Sequence, residues 1–242
     1  MFKALLGAVQ FLTILPVGRS TAEPGRAALF FPLVGAWLGL LAGSLLSISA
    51  SVFPIQLAAL VAVAALILLT GSLHEDGLAD VADAFRAGRP PERILSILKD
   101  SRVGAYGAVA ILLSVLIRWQ AAASLAVPAA AAFAAALSLS RASMVVLAWL
   151  ARPAGQGVGF FFSRTLTTPV AAAAALQGIA FSFLSGVDFA ITLLAGAAVI
   201  IIALRSYFEA RLGGVTGDCL GAASQLVEIF AFAVLACRNC TS

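Results

Sequence analysis

The hydrophobic positions of this chain fall in long continuous stretches, at 29–53, 55–73, 104–127, 129–150, 169–184, 189–204 and 219–236. A helix needs about 20 apolar residues to cross a hydrocarbon core of about 30 Å. The stretches therefore predict about seven transmembrane helices, two of them short. Residues 2–15 form a shorter apolar run behind Lys3, closed by Pro16. The run begins as a signal peptide does, but no small-residue cleavage site follows it. It predicts an N-terminal interfacial or re-entrant helix. Gly35, Gly39 and Gly43, spaced by four, give one helix a face on which a second backbone can approach closely.

Composition narrows the class. Of 242 residues, 62% are hydrophobic and 11% charged, against about 25% charged in soluble domains. Mean hydropathy is +1.07. These values exclude a soluble single-domain enzyme, and they exclude a disordered chain, which needs low hydrophobicity and high charge. The fold expected is all-α, a polytopic transmembrane bundle forming one integral membrane domain over 1–242. Two polar stretches serve as its site loops, at about 74–103 and about 205–222.

Charge orients the bundle. Lys and Arg total 15 against 11 Asp and Glu, and only Lys3 and Lys99 are lysines. No basic run with interleaved aromatics occurs, so no nucleic-acid partner is expected. With the N-terminus inside, Lys3, Arg19, Arg26, Arg86, Arg89, Arg93, Lys99, Arg102, Arg152, Arg164, Arg205 and Arg211 all fall on the cytoplasmic side. The opposite loops, 51–54, 124–128 and 185–188, carry no Lys or Arg, and the C-terminus with Arg238 is placed outside. Cys219, Cys237 and Cys240 are too few for a disulfide framework, and Cys237-x-x-Cys240 lacks the βαβ context of a redox motif.

Six of the eleven acids lie between positions 75 and 100. In the run from His74 to Asp83, a helix stacks Asp76, Asp80 and Asp83 at i, i+4 and i+7 on one face. Like charges stacked in this way repel unless a cation neutralises them, and hard oxygen ligands suit Mg²⁺, Mn²⁺ or Ca²⁺. Gly77 is expected to let a ligand approach the backbone. A solvated acidic loop balanced by nearby arginines is the plainer alternative. Pro90 and Pro91 predict the start of a new helix. Beyond it, Asp100 is a further candidate metal ligand, and Lys99 and Arg102 are candidates for gripping phosphate oxygens. His74 is the lone histidine, suited to general-base, supporting or capping roles.

A second polar patch, Gly213-Gly214-Val215-Thr216-Gly217-Asp218, opens the last apolar stretch. Its glycines suggest a loop whose backbone N–H groups face anions, although no Lys-Ser/Thr pair makes it a Walker loop. Glu228, Arg118 and Arg141 lie inside apolar spans, where ionisable groups are costly and usually paired or functional. Residues 152–168, with Gly155, Gly157 and Gly159, are a candidate lid or an interfacial anchor.

These residues resemble the adenosylcobinamide-GDP ribazoletransferase family, also called cobalamin synthases. The resemblance rests on His74-Glu75-Asp76-Gly77-x-Ala79-Asp80-x-x-Asp83, on Lys99-Asp100-Ser101-Arg102-x-Gly104-x-x-Gly107, and on Gly213-Gly214-x-Thr216-Gly217-Asp218-x-Leu220-Gly221-Ala222. Phe11 to Pro16 and Phe31-Pro32-x-x-Gly35 are similar to its N-terminal pattern. Ala84 and Leu98 depart from it, where glycine and methionine are usual.

The resemblance implies that adenosylcobinamide-GDP meets α-ribazole or its 5′-phosphate, that the ribose 3′-hydroxyl attacks phosphorus, and that GMP leaves. It implies a Mg²⁺-dependent, multi-pass enzyme of the bacterial inner membrane with its active site on the cytoplasmic side. Metal binding then falls to Glu75, Asp76, Asp80, Asp83, Asp100 and Asp218, and phosphate or substrate contacts to Arg93, Lys99, Arg102, Gly214, Thr216 and Gly217. The catalytic group is Asp83, Asp80 and His74, with Asp83 as base. Other enzymes of nucleotide-loop assembly are candidate partners. The acidic helix is also partly similar to CDP-alcohol phosphotransferases, which makes transfer to a lipid acceptor the alternative. A cation or metabolite transporter is the third reading, though a transporter would place such residues near the midplane.

Overall fold

The computed structural model describes residues 1–18, 22–86, 88–155 and 158–237. Arg19, Gly157, Arg238 and Cys240, on which sequence expectations rest, lie outside the described residues. The described chain is helical, in the order α1 (Phe2–Leu12), α2 (Pro24–Ala27), α3 (Phe31–Ser49), α4 (Ile55–Thr70), α5 (Leu73–Ala84), α6 (Pro91–Ile97), α7 (Ala105–Ala122), α8 (Ala129–Leu150), α9 (Val158–Thr165), α10 (Thr168–Ser182), α11 (Val187–Leu212) and α12 (Gly217–Leu235). Six helical stretches are long and apolar enough to cross a membrane, or seven if the bent pair α4 and α5 is counted as one span. At 11 residues and 1.5 Å per residue, α1 is too short to cross.

Helix α8 is the axis of the bundle, with residues 132–145 buried almost without interruption. Against it α3 runs antiparallel at very short range. A methyl group added at Gly35 would stand 2.6 Å from the Leu137 carbonyl oxygen, one at Gly39 2.6 Å from the Ala134 nitrogen, and one at Gly43 2.6 Å from the Ala130 Cα. The glycine face expected from sequence is therefore a backbone-to-backbone contact, where dispersion replaces the hydrophobic effect that lipid cannot supply. Gly39→Leu is expected to destabilise the protein by about 1–3 kcal/mol, the usual cost of overpacking. A thermal midpoint in detergent equal to wild type would contradict this contact.

Two features differ from the sequence expectation. The apolar stretch 55–73 is not one straight helix. Gly71 and Ser72 both take left-handed backbone angles, with φ of 61° and 57°, and α5 leaves α4 at 85°. The second is α11, which does not end near 204 but runs on through Leu212. Arg205 and Glu209 pair at 3.2 Å one turn apart along it. The polar stretch 205–222 is thus a helix end, a four-residue turn and a helix start. Within residues 152–168, the eight-residue α9 stands inside the expected loop.

The bundle has two chemically distinct ends. At one, Trp119 Nε1 donates to the Gln56 carbonyl at 2.7 Å and Ala126 N–H to the Leu235 carbonyl at 2.9 Å. The loops here lack Lys and Arg. At the other end, the Gly25 N–H reaches Thr165 Oγ1 at 2.9 Å, Ala154 pairs with Val215 at 2.8 Å, and α5 meets the start of α12. The arginine-bearing turns and the acidic stretches share this second end.

Candidate active site

Helix α5 crosses the first turns of α12, and Gly77 is the point of contact. A methyl group there would stand 2.9 Å from the Asp218 carbonyl oxygen and 3.2 Å from the Gly221 Cα. Gly77 therefore admits a neighbouring helix, and it also borders an internal cavity. This close approach brings the two acidic stretches together. Asp76, Asp83 and Asp218 all lie within electrostatic reach of Asp80, and none of the four carboxylates has a salt bridge among the described residues.

Asp83 is held in place by α7. Its Oδ2 accepts the Gly104 N–H at 2.7 Å, at the first turn of α7, where backbone donors lack intrahelical partners. Arg89 donates to the Asp83 and Ala84 carbonyls and so closes the C-terminal end of α5. Arg211 reaches the Arg86 carbonyl at 2.8 Å, and Tyr207 the Phe85 carbonyl at 3.0 Å. The end of α11 thereby clamps the turn after α5.

The donor chemistry fits a hard divalent cation: several carboxylates on one face with no salt bridge among the described residues. No three His, Cys, Asp or Glu side chains converge closely enough to hold an ion alone, among the described residues. Mg²⁺ commonly takes one or two carboxylates and completes its shell with water and substrate phosphates, which matches an open rim better than a closed cage. Glu75 and Asp100 are not part of this rim. Glu75 is buried and bound to Arg118, while Asp100 is bound to Arg102 at 2.6 Å. Hydrogen bonds from Arg102 pull the Asp100 carboxyl down to about 2. The contribution of that pair is present above the ordinary carboxylate value and lost as pH falls toward the lowered one.

Around the rim, Arg93, Lys99 and Arg102 are solvent-exposed, and Arg93 lies within electrostatic reach of Asp100. The glycine patch packs against neighbouring backbone. The Val215 N–H donates to the Arg152 carbonyl at 2.8 Å, and Gly214 backs onto that same carbonyl. Gly217 faces Gly159 of α9, and Thr216 caps α12 through the Cys219 N–H at 3.4 Å. Gly214, Thr216 and Gly217 thus shape the joint that presents Asp218.

Sequence reasoning left Arg118 and Arg141 without partners. The structure joins them into a buried network across four helices: Arg118 of α7 bonds Glu75 of α5 at 2.7 Å and Glu228 of α12 at 2.9 Å, and Arg141 of α8 bonds the other oxygen of Glu228. With its amide oxygen turned toward Arg118, Gln225 accepts from the guanidinium at 3.1 Å. The network holds two arginines and two glutamates, so the formal charges cancel. Their appearance in apolar spans was the available signal, but partners 43, 110 and 87 residues away could not be read from it.

Between the network and the rim lies a cavity of about 240 Å³. Asp76 and Asp218 border it, and Phe31, Met144, Phe162 and Leu220 line it. His74 is 2% exposed and faces this cavity, not the open rim.

Fold and site together define a multi-pass helical membrane protein with an acidic rim over a small internal cavity. The chain belongs to the cobalamin-5-phosphate synthase family, which it matches over residues 4–236. It is 38% identical to an adenosylcobinamide-GDP ribazoletransferase of Ralstonia nicotianae, over 96% of this chain and 94% of that one. It is 36% identical to another from Chlorobium phaeovibrioides, over 95% of each, and 38% identical to one from Bradyrhizobium diazoefficiens, over 95% and 91%. No solved structure matches the chain.

Proposed function

We propose that this chain joins adenosylcobinamide-GDP to α-ribazole, or to its 5′-phosphate, releasing GMP. The observation that carries the reading is the rim of carboxylates without a salt bridge among the described residues, made where α5 meets α12, in a chain that matches the family over residues 4–236. The ribose 3′-oxygen forms a bond to the phosphorus bearing the aminopropanol arm. The bond from that phosphorus to GMP breaks, and the hydroxyl proton passes to a carboxylate. Asp83 takes this proton, oriented by the Gly104 N–H. Arg93, Lys99 and Arg102, exposed at the surface with Arg102 held against Asp100, contact the phosphates of the GDP half.

Asp76, Asp80 and Asp218 would hold Mg²⁺, which neutralises a diphosphate and stabilises the charge that develops as it is cleaved. The protein sits in the inner membrane with this end of the bundle in the cytoplasm, because the arginines gather there and the opposite loops have none. Neighbouring enzymes of nucleotide-loop assembly are proposed partners at the same face.

A choice of donor tests the reading. Purified protein in detergent is given either adenosylcobinamide-GDP with α-ribazole or a CDP-activated alcohol with a lipid acceptor. Nucleotide release and a cobalamin product with the first pair alone are expected. Release of CMP with the second pair, or of nothing with the first in folded protein, would overturn it.

A further inference from the structure

We propose that the cavity beneath the acidic rim seats the flat aromatic base of the acceptor, and that His74 binds the base's unsubstituted ring nitrogen. This rests on the function proposed above and adds a residue that sets acceptor specificity. The first observation is His74 itself. It is 2% exposed, faces the cavity, and neither ring nitrogen has a hydrogen-bond partner among the described residues. Buried polar atoms are almost always paired, so an orphaned imidazole on a cavity wall calls for a partner inside that cavity.

The second observation is the wall. Phe11, Phe31 and Phe162 form a nearly parallel stack, with ring centroids 5.2 Å and 5.6 Å apart and interplanar angles of 9° and 5°. All three rings line the cavity, with Met144 and Leu220 beside them. Such a surface takes another flat ring by stacking and dispersion.

Size and polarity then choose the occupant. At about 240 Å³, the cavity is smaller than the roughly 300–1,000 Å³ of sites for drug-sized ligands. A corrin macrocycle is too large for it. Guanine is small enough, but its several acceptors outnumber the one side-chain donor that lines the cavity among the described residues, His74, because the carboxylates of Asp76 and Asp218 at its border can only accept. A benzimidazole-type base is two fused rings with one free acceptor nitrogen, and the imidazole of His74 donates to it. Seated in this way, the base leaves its ribose at the cavity mouth. There Asp76 and Asp218 face the sugar hydroxyls.

The experiment measures KM for each substrate separately, together with binding of α-ribazole alone by equilibrium dialysis, in wild type, His74→Phe and Met144→Trp. His74→Phe keeps a flat ring and removes the donor, and Met144→Trp fills the cavity while leaving residue 74 a histidine. Each is expected to weaken α-ribazole binding and raise its KM by about tenfold or more, the effect of one lost hydrogen bond to a buried acceptor. KM for adenosylcobinamide-GDP is expected to stay within about twofold. A ribazole analogue with carbon in place of the free ring nitrogen should bind wild type and His74→Phe equally.

Equal rises in both KM values, or unchanged α-ribazole binding in both variants, would overturn the proposal. The second result is also what a lipid chain or detergent in the cavity would give. If wild type binds α-ribazole yet releases no GMP, the proposed function fails while the dialysis result still decides the cavity.

Discussion

Replacing Asp80 by Asn is expected to cut GMP release by about 10²–10³-fold, the loss typical of removing one electrostatic contact to a reacting centre. Asp80 is the middle carboxylate of the α5 face, with Asp76 one turn before it, Asp83 one turn after it, and Asp218 across the joint. No protein cation balances the four among the described residues. Removing one charge from such a group relieves repulsion in the empty protein, so the variant should fold at least as well as wild type. Activity and stability should therefore move in opposite directions. Affinity for Mn²⁺, read by its EPR signal as a substitute for Mg²⁺, should fall at least about tenfold. A variant that loses activity and stability together, with Mn²⁺ binding unchanged, would instead make Asp80 a structural residue.

Glu228→Gln is expected to destabilise the protein by about 3–5 kcal/mol, the range for breaking a buried ion pair from one side. Glu228 is 1% exposed and bonds both Arg118 and Arg141. The substitution takes away the negative charge and leaves one amide oxygen for two guanidinium groups; Arg118 keeps Glu75, whereas Arg141 stays charged in the core with Ser140 Oγ at 2.6 Å as its other side-chain partner among the described residues. The network also names its own remedy. Arg141→Met together with Glu228→Gln removes one charge of each sign and spares the pair between Arg118 and Glu75, so the double variant should be more stable than Glu228→Gln alone. Thermal unfolding in one detergent compares wild type, Glu228→Gln, Arg141→Met and the double variant. Strictly additive losses would mean that the two residues do not interact.

Much of this architecture was legible in the chain because apolar stretches of span length and one-sided arginines leave little choice of fold. The face carrying Asp76, Asp80 and Asp83 followed from helical spacing alone, and the helix is there. Reading failed where one residue type serves two purposes. Gly77 suggests a backbone open to a ligand, and it both borders the cavity and admits α12. Arg205 and Glu209 suggested a loop because they are charged, yet they pair along the surface of a helix that outruns its apolar core. The glycines before Asp218 pair with residues 152–154 and α9, a contact across about sixty residues that no local pattern announces. The network of Arg118, Arg141, Glu75 and Glu228 was hidden for the same reason. His74 was visible as a candidate, but its burial and its cavity exist only once α1, α3, α8, α9 and α12 close around α5.

On the proposed mechanism, the rim at the α5 and α12 joint performs the transfer. Its most direct test is GMP release and cobalamin formation from adenosylcobinamide-GDP and α-ribazole, by wild type with and without Mg²⁺ and by Asp76→Asn beside it. Equal amounts of GMP and cobalamin product, lost on chelation and lost in the variant while its thermal midpoint holds, are the predicted result. Full turnover by Asp76→Asn, or by wild type stripped of divalent cations, would contradict the account.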